Sequence, residues 1–214
     1  MGLGKLFGFG GDGPQGPEDP TLLQPGDFIE FGRKANRVVA GKRYSVLGID
    51  SYELDGETVA EFRLMGEDGQ MIVMAVEDED GERYLALSRD MPLPDLERIV
   101  TEPNALHAVF EPGLGQMIEL TEEPENLAGW LAPFYEKRDD AAHGVSYRGD
   151  QREPQKDGFG DSGESFDYYL LEHPDEGHAL EVAVYDGGRM EIAAVLYMGL
   201  RHIASMQSGM MGHA

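Results

Sequence analysis

The 214 residues suffice for one large domain or two small ones, and a hydrophobic content of 41% marks a globular chain. Acidic residues outnumber basic ones 41 to 17, a formal charge of −24 that repels nucleic-acid phosphate and anionic lipid. With no cysteine, disulfides, zinc-thiolate sites, iron–sulfur clusters and thiol catalysis are excluded.

In chain order, glycine and proline dominate residues 1–20, which read as a flexible leader with Phe7 and Phe9 as candidate interaction anchors. The leader lacks the apolar length and cleavage site of a secretory signal, and no window approaches the ~20 apolar residues of a membrane span. A cytoplasmic location is expected. The first β unit is read over 21–100. It opens with a turn at Pro25-Gly26-Asp27 and a short strand at Phe28–Phe31. Further strands follow from Arg43 and over 60–65, 71–77 and 83–88, divided by "GEDG" and "EDEDG" turns. The run "MIVMAV" is apolar at every position, which predicts burial on both faces. "PLPDLERIV" predicts a short helix.

Residues 101–140 read as a connector with a strand at "GQMIEL" and an amphipathic helix in "EEPENLAGWLAPFYEKR", its core side carrying Leu127, Trp130 and Leu131. A second β unit is expected over 141–207, with a long exposed loop at 148–165, three strands and a final helical turn in "GLRHIASM". A fraying tail occupies 208–214.

Set side by side, the two units match. Phe62 falls on Tyr168, Leu64 on Leu170, Ile72 on Leu180, Ala75 on Ala183 and Gly81 on Gly188. "DLERIV" echoes "GLRHIA", and "YSVLGIDSYELDG" has a looser echo in "VSYRGDQREPQKDG". Either this is a structural duplication or it is the shared grammar of antiparallel meanders. The order and spacing favour duplication. The expected fold is mainly β, with two pseudo-repeated antiparallel meander units packed together and short helices.

"EHPDEGH" concentrates Glu172, His173, Asp175 and His178. Imidazole and carboxylate suit a metal ion, but the spacing is not that of H-E-x-x-H, and its counterpart "GEDGQ" is a turn without histidines. The alternatives are a polar turn and a metal or ligand site. Tyr168 and Tyr169 alternate across a strand, so one faces inward and the other offers an interface. "EDED" lacks calcium-loop spacing and reads as a hairpin tip. No G-x-S-x-G elbow and no G-K-[ST] phosphate loop occurs. Paired carboxylates are too common in this chain to nominate an acid and a base.

"GLGKLFGFG", "LQPGDFIEF" and "WLAPFYEKRDD", with the acidic β-rich body, resemble bacterial uncharacterised proteins of the YjfK type. That family brings no established activity and no catalytic residues. The resemblance implies an accessory role in envelope stress or polyamine physiology.

These features together predict a non-enzymatic binding or adaptor protein without a cofactor. Its partner would be a basic protein or a cation, not nucleic acid, and it could form a homo-oligomer. The rival expectation is a metal- or small-ligand-binding protein, possibly a hydrolase, with its site at the 172–178 turn.

Overall fold

A computed structural model describes residues 16–79, 81–138, 141–152, 163–175 and 177–209. Phe7, Phe9, most of the 148–165 loop and the end of the tail lie outside the described residues.

Strand β1 (Phe28–Phe31) leads into a four-strand meander: β2 (Arg43–Leu54), β3 (Glu57–Gly66), β4 (Met71–Glu79) and β5 (Glu82–Asp90). Asp55 and Gly56, both at positive φ, make the two-residue turn between β2 and β3, the geometry that matches strand twist. Helices α1 (Leu93–Ile99) and α2 (Pro103–Ala108) then precede β6 (Met117–Glu119) and β7 (Phe134–Lys137). The second meander is β8 (Ala142–Tyr147), β9 (Glu164–Glu172), β10 (His178–Tyr185) and β11 (Met190–Gly199). Strand β12 (Ile203–Gln207) returns to pair with β1.

The two meanders close on each other. β5 pairs with β11 and β2 with β8, both antiparallel, so the wall runs β2-β3-β4-β5-β11-β10-β9-β8 and back to β2. The packing of two repeated meander units expected from the sequence thus takes the form of a closed antiparallel barrel with extra strands at its margins.

Strand pairing corrects the matching of the repeat. Phe62 opposes Met74 and Leu64 opposes Ile72, whereas Tyr169 opposes Val182 and Leu171 opposes Leu180. Phe62 therefore corresponds to Tyr169 and Leu64 to Leu171, one residue beyond the sequence matching. The doublets Tyr168-Tyr169 and Leu170-Leu171 hide the slip, yet it exchanges the two faces of the strand. The counterpart of β2 is β8, which holds only the first residues of the looser echo.

The main apolar core lies outside the barrel. Phe62, Leu64, Met74, Leu87 and Leu196 point outward and are covered by Leu96 and Ile99 of α1, by Trp130 and by Ile29 of β1. Full burial of each large side chain contributes about 1.5–3 kcal/mol. "MIVMAV" is buried on both sides only in part: Ile72 and Met74 are buried in this core and Ala75 is buried inward, while Val73 and Val76 are half-buried and Met71 is exposed.

Three expectations for local structure fail. The final helical turn of "GLRHIASM" is confined to a 3-10 turn, Leu200–His202, and the chain continues as strand β12, which is held by pairing with β1. The segment 124–137 is not an amphipathic helix. It holds one 3-10 turn, Glu125–Leu127, and then strand β7. Gly129 sits at φ +88° against Val38 and Arg37, and Glu123 accepts hydrogen bonds from the Gly129 and Leu131 amides, which holds the chain out of a helix. Leu127 and Trp130 are nevertheless buried. Residues 149–152 are not a free loop: the Gly149 amide donates to Asp50, the Gln151 amide to Ser51, and the Arg152 guanidinium to the Leu23 carbonyl. Among the described residues no helix is long and apolar enough to cross a membrane.

Candidate functional site in the barrel lumen

The histidine turn comes together only in part. The Nδ1 atoms of His173 and His178 reach Asp175 carboxylate oxygens at 3.0 and 3.1 Å. The Gly177 amide donates to the same carboxylate at 3.0 Å. Burial works to raise the Asp175 carboxyl, but this amide and the two imidazoles outweigh it and hold it below the usual range. The rings converge on Asp175 rather than on each other, with centroids 6.5 Å apart, and Phe134 packs edge-on against His173. Glu172 alternates to the other face of β9, opposite Ala179, and so lies apart from the imidazoles. Among the described residues no three histidine or carboxylate side chains are grouped to hold a metal ion.

Tyr168 and Tyr169 also part. Tyr169 faces outward and is already occupied: Phe110 packs edge-on at 5.1 Å and the Lys137 ammonium lies 5.6 Å from its centroid. Tyr168 faces into the barrel, where its hydroxyl donates to Glu181 Oε1 at 2.9 Å.

That bond belongs to a larger constellation. Glu61 of β3, Glu77 of β4 and Glu181 of β10 share the inner face, and β10 stands across the barrel from β3 and β4. Desolvation raises the Glu181 carboxyl to about 8, with the Glu77 and Glu61 charges adding to it and the Tyr168 hydrogen bond opposing it. Desolvation likewise raises Glu61 to about 7, reinforced by Asp50, Glu191, Asp90 and Glu77. Strands on opposite walls thus place these groups within electrostatic range of one another across the lumen.

Tyrosines complete the lining. The Tyr84 hydroxyl donates to Glu77 Oε2 at 2.9 Å, and its ring meets Tyr197 edge-on at 5.5 Å. Tyr52 projects from β2 among Glu77, Glu181 and Glu61. Burial drives the Tyr52, Tyr168 and Tyr197 hydroxyls far above their usual range, so all three are neutral donors. Between them the wall carries Ala75, Ala86, Ala179 and Val195. Val59, Leu170, Ala193 and Tyr197 pack against these small side chains.

Glu61, Glu181, Tyr52, Tyr168 and Tyr197 are desolvated by surrounding protein, yet each is only half-buried by surface accessibility. Both conditions hold when a side chain borders a space enclosed by the barrel. An eight-stranded barrel is wide enough to hold one small ligand.

Sequence reading passed over these glutamates because the chain has so many carboxylates. The usable signal was position: "AEFRLM" and "LEVAV" place a glutamate inside an apolar strand, on the face that otherwise carries alanine and valine.

No family model matches the chain, and neither curated proteins nor solved structures yield a match.

Proposed function

We propose that the protein is a ligand-binding protein whose working site is the barrel lumen, which receives a small cation. The observation that supports this reading most is the placement of Glu61, Glu77 and Glu181 on the inner face of facing walls, desolvated and within electrostatic range of one another. Buried carboxylates that repel one another cost stability, and a cation between them removes that cost. Native mass spectrometry of the full chain purified from its source cells tests it. The expected result is a small-molecule adduct that disappears in Glu61→Gln plus Glu181→Gln. Identical adducts on wild type and variant would sink the proposal.

A second reading rests on the charge of −24. The acidic exterior engages a basic protein partner, making the barrel an adaptor. Crosslinking in cells followed by washes of rising salt separates the two. A partner released by moderate salt supports the adaptor.

A further inference from the structure

We infer that the cation received by the lumen is an organic ammonium ion with a short aliphatic body, not a metal ion. The inference rests on the lumen reading above and adds the identity of the ligand class.

Glu61 is the first reason. Its carboxylate is enclosed by the barrel, and no hydrogen bond or salt bridge reaches it from the described residues. The guanidinium of Arg63, two residues along β3, is taken by Asp50 at 3.0 Å. Its electrostatic neighbours, Asp50 on β2, Glu77 on β4, Asp90 on β5 and Glu191 on β11, are all acidic. No basic group stands among these neighbours, so a cationic ligand would bring Glu61 a positive partner.

The walls are the second reason. A hard metal ion needs six or more convergent oxygens, and softer metals need imidazole or thiolate. The three glutamates are spread over strands on opposite sides, and no described group of carboxylates and histidines is gathered for a metal. The tyrosines offer ring faces and hydroxyls instead, which attract ammonium groups through the π-system and by hydrogen bonding. The third reason is the layer of half-buried Val59, Leu170 and Ala193, packed over the buried Ala75, Ala86, Ala179 and Val195, an apolar surface that suits methylenes and gives nothing to a hydrated metal ion.

Isothermal titration of the full chain with four probes tests this: n-butylammonium, n-butanol as its neutral counterpart, calcium and manganese. The expected result is saturable butylammonium binding, weakened about tenfold or more by Glu61→Gln, with no comparable binding of the other three. Ala86→Leu, which fills the lumen without touching charge, should abolish it as well, and His173→Ala should leave it unchanged. Far-UV circular dichroism checks that each variant folds. Metal binding sensitive to Glu61→Gln, without butylammonium binding, would overturn the ligand class and leave the lumen reading standing. Equal binding of butanol would overturn recognition of charge. Binding by no probe, or binding indifferent to both Glu61→Gln and Ala86→Leu, would overturn the lumen site itself.

Discussion

The two faces of the barrel wall are built on opposite principles. Outward, Phe62, Leu64, Met74 and Leu87 sit in a dry apolar core under α1 and the connector. Inward, the same strands present Glu61, Glu77 and Tyr84 to an enclosed space. Small barrels ordinarily place their core inside. Here the covering arms take over that task, which frees the interior for polar groups. Stability resides on one face of the wall and the proposed binding site on the other, one residue apart in sequence.

Substitutions can break this division or sharpen it. The largest effect belongs to the outer face. Phe62→Ala should cost about 3–5 kcal/mol in urea unfolding, because a buried ring leaves a cavity among well-packed neighbours. A cost under about 1 kcal/mol would show that the outer core is not what holds the wall.

Gly144→Ala comes next. A Cβ there would approach the Glu53 carbonyl oxygen to 2.8 Å and the Phe166 ring to 2.5 Å, and neither can move freely. Overpacking of this kind costs about 1–3 kcal/mol. It should lower the thermal midpoint by several degrees, and an unchanged midpoint would mean that β8 is not tightly seated.

The inner face should respond in the opposite direction. Glu61 and Glu181 have folded-state values of about 7 and about 8, above their ordinary 4.5. Their contribution to stability is therefore present below pH 4.5 and is lost as pH rises through 7 and 8. Unliganded wild type should weaken between about pH 5 and pH 8.5. The Glu61→Gln plus Glu181→Gln variant should flatten that slope by on the order of 1 kcal/mol or more. A variant as pH-sensitive as wild type would refute an acidic, desolvated lumen.

The smallest effect is at the histidine turn. Asp175→Asn should cost about 1 kcal/mol or less, since the ion pairs are partly exposed. Asp175 is held below its ordinary value, so its contribution is lost as pH falls through that lowered value, the reverse of the glutamates. A loss of several kcal/mol would make the turn a structural keystone rather than a polar hairpin.

Much of the fold was legible in the sequence. Period-two apolar patterns placed Phe28–Phe31, the first meander and the strands of the second, and the self-match anticipated two units packed together. What failed did so for physical reasons. The segment around Trp130 has helical spacing of apolar residues, but Gly129 and the Glu123 carboxylate fix a non-helical path. The lumen was hidden because closure depends on the long-range pairs β2–β8 and β5–β11, which no local pattern reports. The histidines drew notice by composition, yet backbone alternation sends Glu172 to the face away from them.

The two seams of the barrel are unequal. β5 and β11 are matched over seven residue pairs, and β2 and β8 over four. The barrel is thus a jar with a hinge on one side and a latch on the other. The latch is fastened where the Gly149 amide reaches Asp50, the residue that also holds Arg63 and presses its charge on Glu61. One carboxylate joins the catch to the contents. A cation seated beside Glu61 would be felt at the latch through Asp50.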